Sequence, residues 1–329
     1  MSFALLAGVI LLGAWGVLAL VYQVAGGPIV RGLVAGLWGL SCLILMGVIA
    51  YGAVIPGVTI FAAAFVVLQI WWHRIAPSNE RDWSDDVARM TTGVVSDNQI
   101  TLSNVRCFDW RTTTDYDPRW ETRTYDLQRL NTVDMVLSYW SMSAIAHVLV
   151  SFGFEDGDHV VFSVEIRREK SEKFSEVGGF FKEFELSIIA CDERDVIRLR
   201  TNVRREDVYL YRLRMPVAHM RALFLAYIAA ANELSRKPRF YNTLGANCTT
   251  LVYQMMRRIA GRLPLDFRLL LSGYLPGYVN RVGALDARYP LSELKALGRI
   301  GERARRSDRS PDFSADIRAG IPPLQARAT

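Results

Sequence analysis

The first 72 residues of the chain contain three long apolar runs and a single charged side chain, Arg31. Each run is about 20 residues long, which is the length an α-helix needs to cross the hydrocarbon core of a bilayer. Trp71 and Trp72 close the third run, and aromatic side chains favour the membrane–water interface. A cleaved signal peptide would instead have one short apolar core after basic residues. The pattern therefore predicts a membrane domain of three transmembrane helices in residues 1–74.

Residues 75–300 have the composition of an ordinary globular domain. From about residue 98 to 211, apolar and β-branched residues alternate or cluster in short runs, as strands do. Two helical patterns follow, one ending before Pro238 and one from about Cys248 to Ala260. This order predicts an α+β domain in which helices pack on an antiparallel sheet. Residues 301–329 mix Arg, Asp, Ser and Pro, so we expect a loosely ordered basic tail there.

The charge of the chain limits its partners. Only one of the 39 basic residues, and none of the 33 acidic residues, precedes His73. The mildly basic balance of the remainder suits an anionic membrane surface. No nucleic-acid-binding motif or basic stripe with interleaved aromatics accompanies it, so nucleic acid is not an expected partner.

Cys248 is the candidate nucleophile. The four cysteines lie far apart and form no C-x-x-C pair, which argues against zinc or thioredoxin chemistry. In "YNTLGANCTT" Cys248 stands where a helix begins, and the positive end of a helix dipole favours the thiolate. The alternative is a small buried side chain that only packs.

The hairpin around "FEDGD" supplies a base and its orienting group. If Glu155, Asp156 and Gly157 form a three-residue loop, His147 lies opposite Glu165. One face of the hairpin then carries polar side chains at five positions: His147, Ser151, Ser163, Glu165 and Arg167. A two-residue turn would shift the register by one and move Glu165 to the other face. We favour the first register, which predicts a catalytic set of Cys248, His147 and Glu165.

Other polar residues are candidates for supporting roles. Tyr241 and Asn242 precede the nucleophile and could help an oxyanion hole, or could serve only as turn residues. Asn247 and Ser151 are further support candidates. Three basic residues in "EIRREK" could hold a lipid phosphate, or could belong to a solvated hairpin end: they are Arg167, Arg168 and Lys170.

The soluble part resembles the bacterial family of the periplasmic domain of Lnb-type lipoprotein N-acyltransferases. The resemblance spans about residues 81–304 and is carried by these segments: "NVRCFDWRTTTDYDPRWETRTYDL", "LSYW", "AHVLVSFGFEDGDHVVFSVEIRREKSE", "DERDVIRLRTNVRREDVYLYRL", "YNTLGANCTT" and "PLDFRLLLSGY". It implies a permuted NlpC-like, papain-related fold with His147 and Cys248 as the catalytic pair. Lecithin–retinol acyltransferase, of the same broad class, also moves acyl groups through a cysteine. In the acyltransferases of this family the membrane helices follow the domain, whereas here three precede it.

These observations lead to the expectation of a membrane-anchored cysteine acyltransferase that needs no cofactor or metal. Its acyl donor would be a phospholipid or the diacylglyceryl group of a lipoprotein. Its acceptor would be the amine of a lipidated N-terminal cysteine. Two alternatives stay open. One is a cell-envelope cysteine peptidase or amidase that uses the same residues, and the other is a membrane scaffold in which Cys248 merely packs.

The orientation of the chain follows from two conflicting arguments. Arg31 and Arg74 fall on the same side of the membrane as the following domain, and the positive-inside rule would make that side cytoplasmic. Lipoprotein and cell-wall substrates lie at the outer face of the inner membrane. We therefore expect a multi-pass protein of the inner membrane whose catalytic domain faces the periplasm.

Overall fold

The computed structural model describes residues 2–324. It begins with three helices, each long and apolar enough to cross a membrane: α1 (Ser2–Gln23), α2 (Pro28–Ala50) and α3 (Val54–Arg74). Small residues allow these helices to approach closely, as in membrane bundles. A Cβ added to Gly16 would lie 2.4 Å from Nε1 of Trp38, and one on Gly13 would lie 3.1 Å from Sγ of Cys42. The three predicted apolar helices are confirmed.

The soluble part is built on one large sheet. Its strands run in the spatial order β1-β2-β9-β8-β7-β6-β10, with β5 paired to β2, and β3 and β4 form a separate small ribbon. Their bounds are β1 (Thr92–Ser96), β2 (Gln99–Arg106), β3 (Asp109–Trp110), β4 (Tyr116–Asp117), β5 (Trp120–Asp126), β6 (Leu130–Tyr139), β7 (His147–Phe154), β8 (His159–Arg167), β9 (Glu185–Cys191) and β10 (Asp207–Arg212).

All strand pairs are antiparallel except one contact between β2 and β9, where Arg106 pairs with Cys191 in parallel. Helices flank this sheet: α4 (Glu193–Arg198), α5 (Val217–Arg236), α6 (Thr250–Ala260), α7 (Leu275–Arg281), α8 (Leu291–Gly298), α9 (Gly301–Arg306) and α10 (Phe313–Asp316). The α+β class is therefore confirmed, with a sheet that is mixed at this one contact. The permuted papain-like arrangement stays a prediction.

Two apolar cores cover the two faces of the sheet, because successive side chains of a strand point to opposite faces. One core packs α5, α6 and α7 on the sheet and centres on Phe152, Phe162, Phe224 and Tyr227. The other packs α4, α9 and α10 on the opposite face. The catalytic candidates lie where β7 begins and β8 ends, beside the start of α6.

The β7–β8 hairpin has the predicted register. Leu149 pairs with Ser163, and the pairing continues without a shift to the turn. The N–H of Phe154 donates to the Asp158 carbonyl at 2.9 Å. Gly157 has a φ of +90°, a conformation that favours glycine. The three-residue loop and the register that follows from it are confirmed.

The C-terminal segment differs from the expectation of a loose tail. Three of its apolar side chains are fully buried in the second core: Ala304, Phe313 and Ile317. Arg318 donates to Asp134 at 2.8 Å and to Glu193 at 2.6 Å. The expectation is wrong for residues 301–324, because arginines that suggest a solvated tail can pair with buried carboxylates. Residues 325–329 lie outside the described residues.

Candidate active site

Cys248 lies in the turn that begins α6. The Asn247 side chain caps this helix: its Oδ1 accepts hydrogen bonds from the N–H groups of Thr249 and Thr250, both at 2.8 Å. Its Nδ2 donates to the Thr243 carbonyl at 2.6 Å. A polar cap of this kind fixes the first turn of a helix. Asn247 therefore supports the site by holding the backbone on both sides of the thiol.

His147 begins β7 and meets the carboxylate on the neighbouring strand. Its Nε2 lies 3.1 Å from Oε1 of Glu165 and 2.7 Å from Oγ of Ser163. The Ser163 hydroxyl donates to the same Glu165 oxygen at 2.6 Å. Because an ionised carboxylate only accepts, Nε2 carries a hydrogen. The other ring nitrogen, Nδ1, is then free to accept a proton from the Cys248 thiol, which lines the same cavity as His147.

The charges of this set favour a thiolate beside an imidazolium. Burial disfavours protonated His147, but the Glu165 charge and the hydrogen bonds of the ring together outweigh burial and raise the pKa of His147 to about 9. Burial also raises the pKa of Glu165, yet protonated His147 holds that pKa well below its usual range. Burial raises the pKa of Cys248 as well, but the interaction with His147 outweighs burial and lowers that pKa.

The other cysteines of the soluble part differ from Cys248. Burial raises the pKa of Cys107 to about 12 and raises that of Cys191 strongly. Both thiols are buried, whereas Cys248 is partly exposed. Within residues 75–324, Cys248 is thus the thiol that is both accessible and activated.

Arg200 completes the set, although the sequence analysis did not single it out. Its Nη2 lies 3.7 Å from Oε1 of Glu165, and its Nη1 donates to Glu206 at 3.1 Å. It lies in a π-helical turn, Leu199–Val203, directly after α4, and such turns often occur at functional sites. In the sequence it is one of two arginines in the segment "VIRLRTN". Nothing in the spacing related it to Glu165.

The predicted support residues do not all lie beside Cys248. Tyr241 and Asn247 line the same cavity as Cys248. Asn242 does not, because its Oδ1 accepts hydrogen bonds from the N–H groups of Leu244 and Gly245 in an exposed turn. The geometry therefore supports a role for Asn242 as a turn residue.

Ser151 is also placed away from the thiol. Its hydroxyl donates to Glu193 at 2.6 Å, deep under the C-terminal segment. It shares a face with His147, as predicted, but it lies four residues further along β7. A role for Ser151 in supporting the catalytic cysteine is therefore wrong.

Of the three predicted phosphate ligands, Arg167 is ruled out. Its side chain is 4% exposed, its Nε donates to the Val87 carbonyl, and its guanidinium lies 4.4 Å from the centre of the Trp83 ring. A buried guanidinium with these partners is not available to a lipid. The two others, Arg168 and Lys170, pair with nearby carboxylates at 3.3 to 3.6 Å, and phosphate binding by them stays a prediction.

The thiol, the imidazole and the carboxylate open into a cavity of about 350 Å³. Its walls are mostly apolar, with Trp140, Met142, Phe174, Phe180 and Leu270 among the lining residues. Among residues 2–324, no group of three or more His, Cys, Asp or Glu side chains is arranged to hold a metal ion. A cavity with a few polar groups within apolar walls suits a ligand with a polar group on an apolar chain.

Comparison with known proteins identifies the domain that contains this site. Residues 116–273 match the family model of the Lnb N-terminal periplasmic domain, and this segment contains Cys248, His147, Glu165 and Arg200. No curated protein and no solved structure matches the chain. Together with the three apolar helices, the match describes a membrane protein with a periplasmic domain. Residues 116–273 of the chain therefore belong to the Lnb N-terminal periplasmic domain family.

Proposed function

We propose that this protein is a membrane-anchored acyltransferase that carries the acyl group as a thioester on Cys248. The observation that carries the proposal is that Cys248 lines one cavity with apolar walls together with the hydrogen-bonded pair of His147 and Glu165. This series supplies the three parts that nucleophilic catalysis by cysteine needs: a thiolate, an acid–base group and an orienting carboxylate.

In the first step the thiolate attacks the carbonyl carbon of a lipid ester. The new C–S bond forms as the C–O bond breaks, and the His147 imidazolium gives its proton to the leaving alkoxide. Charge that develops on the carbonyl oxygen would be held by the backbone N–H of Cys248 and by the Tyr241 hydroxyl, which lines the same cavity. The products of this step are the thioester and an alcohol.

In the second step an amine attacks the thioester. Neutral His147 takes a proton from the amine, the C–N bond forms, and the Cys248 thiolate leaves. The resting thiolate–imidazolium pair is thereby restored without any cofactor. Glu165 stabilises the imidazolium in both steps, and Arg200 keeps Glu165 ionised.

The expected setting is the inner membrane, with three spans and the domain in the periplasm. The donor would be a phospholipid or a lipoprotein diacylglyceryl group, and the acceptor the amine of a lipidated N-terminal cysteine. The periplasmic family of residues 116–273 supports this setting. Protease added to spheroplasts should digest the domain. Protection until the membrane is lysed would contradict it.

Intact-protein mass spectrometry tests the proposed chemistry. Full-length protein in phospholipid nanodiscs without an amine should gain the mass of one acyl group on Cys248, and the mass should be lost when an amine is added. Cys248→Ala should gain nothing, whereas the matched control Cys107→Ala should behave as wild type, because Cys107 is buried apart from the site. Cleavage of cell-wall peptides without any acyl adduct would instead identify a hydrolase.

A further inference from the structure

The long loop between β8 and β9 lies against the membrane helices. This β8–β9 loop, residues 168–184, inserts Phe181 between α1 and α3, where it is buried with Ala19 and Trp72. Tyr22 stacks on Phe181 with ring centres 5.6 Å apart, and the Gln23 amide donates to the Phe181 carbonyl at 2.9 Å. The last residues of two predicted spans thus hold this loop.

A cation strengthens the same attachment. The Lys182 ammonium donates to the Trp72 carbonyl at 2.7 Å and lies 4.7 Å from the centre of the Trp72 ring. Trp72 lies at the end of α3, where the span leaves the apolar phase. Lysine and tryptophan side chains are typical of the level of the lipid headgroups. The β8–β9 loop therefore lies at the depth of the lipid–water interface.

The same loop forms one wall of the catalytic cavity. The Thr243 N–H donates to the Gly179 carbonyl at 3.3 Å. A Cβ added to Gly179 would lie 2.4 Å from Oγ1 of Thr243 and 3.3 Å from the Tyr241 ring. Phe174 and Phe180 line the cavity together with Cys248. The thiol and the membrane interface are thus separated by a single packed loop.

Four large apolar side chains that line the cavity are exposed to solvent over much of their surface. We name them the apolar rim: Trp140 and Met142 from the segment after β6, and Phe174 and Phe180 from the β8–β9 loop. Their exposures range from 42% for Phe180 to 57% for Phe174. Clustered exposed apolar side chains mark sites of contact with membranes or partners. Their attachment to the ends of the spans favours the membrane.

We propose that the apolar rim enters the lipid surface, so that the cavity takes long-chain lipid esters directly from the bilayer. The chemical reason is that ester carbonyls of membrane lipids lie at headgroup depth, while their chains stay in the apolar phase. A rim at that depth keeps the chain in contact with apolar groups as the carbonyl reaches Cys248. Arg31, exposed at the same end of the bundle, adds attraction for anionic lipids. The substrate class named here rests on the proposed function.

The test compares two thiol reagents on full-length protein in nanodiscs. N-ethylmaleimide is short and water-soluble, whereas N-hexadecylmaleimide dissolves in the bilayer. The rim variant is Phe174→Ser with Phe180→Ser. The matched control is Leu265→Ser with Phe267→Ser, two apolar residues at 78% and 64% exposure outside the rim. Peptide mass spectrometry locates the label on Cys248.

We expect the rim variant to react with N-hexadecylmaleimide about tenfold more slowly than wild type, since each lost phenylalanine weakens insertion. Its reaction with N-ethylmaleimide measures any change in access to the thiol, so the ratio of the long-reagent rate to the short-reagent rate should fall about tenfold in the rim variant, while both reactions of the control should be unchanged. Equal rates of the rim variant and wild type with the long reagent would overturn the proposal. Because addition of the thiol to maleimide requires no acyl transfer, this result stands even if no thioester ever forms.

A second measurement needs no variant and so does not depend on the folding of one. Wild-type protein in nanodiscs with a diazirine-labelled phospholipid should be cross-linked to lipid at residues 140–142 and 174–180. Absence of lipid cross-links there, in protein whose spans are cross-linked to lipid, would overturn the proposal and leave the rim to a partner or a second copy.

Discussion

Two buried polar clusters share one face of the central hairpin, and they differ in what lies beside them. The open cluster consists of His147, Ser163, Glu165 and Arg200, and the closed cluster consists of Asp134, Ser151, Glu193 and Arg318. Both contain a serine, a carboxylate and an arginine, but Arg318 donates hydrogen bonds to its carboxylates, whereas Arg200 lies 3.7 Å from Glu165. In the open cluster His147 and Glu165 keep 12% and 20% of their side-chain surface, whereas in the closed cluster Glu193 is fully buried.

A polar sheet face therefore does not by itself indicate a reactive site. The open cluster adjoins a cavity and a thiol whose pKa it lowers. The closed cluster adjoins only the C-terminal segment, which it holds on the sheet through Arg318. We therefore expect changes in the open cluster to alter turnover, and changes in the closed cluster to alter stability. Each of the following variants tests whether turnover and stability depend on different clusters.

The largest effect is expected from Glu165→Gln. The amide keeps the shape of the side chain but removes the charge that stabilises the His147 imidazolium, so turnover should fall by about 10²- to 10⁴-fold. The melting temperature should change little by comparison. An assay of acyl transfer beside a thermal melt checks both, and a turnover near wild type would refute the role given to Glu165.

The same variant should change the pH dependence of turnover. In the wild type, activity should fall as pH rises through about 9, where His147 loses the proton that the Glu165 charge helps to retain. In Glu165→Gln the pH at which activity falls should move down toward about 6.5, the ordinary pKa of histidine. If activity still falls at about pH 9, another group titrates there.

The next largest effect is expected from Arg318→Ala in the closed cluster. It leaves Glu193 buried without its arginine, whereas Asp134 keeps Arg212 at 2.7 Å, so the free energy of unfolding should fall by about 3–5 kcal/mol. Turnover per folded molecule should stay unchanged. Denaturant unfolding and the acyl-transfer assay measure the two quantities. A large loss of turnover in the folded fraction would show that the closed cluster also contributes to turnover.

The closed cluster should also make stability depend on acid. Burial raises the pKa of Glu193, but Arg318 outweighs burial and lowers that pKa to about 2. The stabilisation is therefore present above about pH 4.3, the unfolded value, and is lost as pH falls toward 2. The difference in unfolding free energy between wild type and Arg318→Ala should shrink over that range. A constant difference would contradict the assignment.

The smallest effects come from a matched pair of serines. Ser163→Ala and Ser151→Ala each remove one buried hydroxyl, and each should cost about 1 kcal/mol of stability. Only Ser163 touches His147 and Glu165, so turnover should fall severalfold in Ser163→Ala alone. Equal turnover in the two variants would contradict the expectation that only the open cluster affects turnover.

Local physical rules explain which parts of this arrangement could be predicted. The turn chemistry of Gly157 and the alternation along a strand suffice to bring His147 opposite Glu165. The same alternation assigns Ser151 to the correct face but says nothing about its distance from Cys248. The sheet face on which Ser151 lies was therefore predictable from the sequence, whereas its distance from Cys248 along that face was not.

The parts that could not be predicted depend on partners distant in the chain. Arg318 meets Asp134 across 184 positions, and no local pattern relates the two. Arg200 reaches Glu165 only because the chain turns after α4. A run rich in arginine therefore suggested a loose tail, where burial against carboxylates makes it part of the core.

The most direct test of the central claim is the pH dependence of Cys248 alkylation. With iodoacetamide and peptide mass spectrometry, Cys248 should react well below pH 8.5, the value for a free cysteine, while Cys107 and Cys191 stay unlabelled in the folded protein. In His147→Ala the reaction should shift to higher pH, because the group that lowers the thiol pKa is gone. A wild-type Cys248 that reacts no sooner than an ordinary thiol, or unchanged reactivity in His147→Ala, would contradict the account.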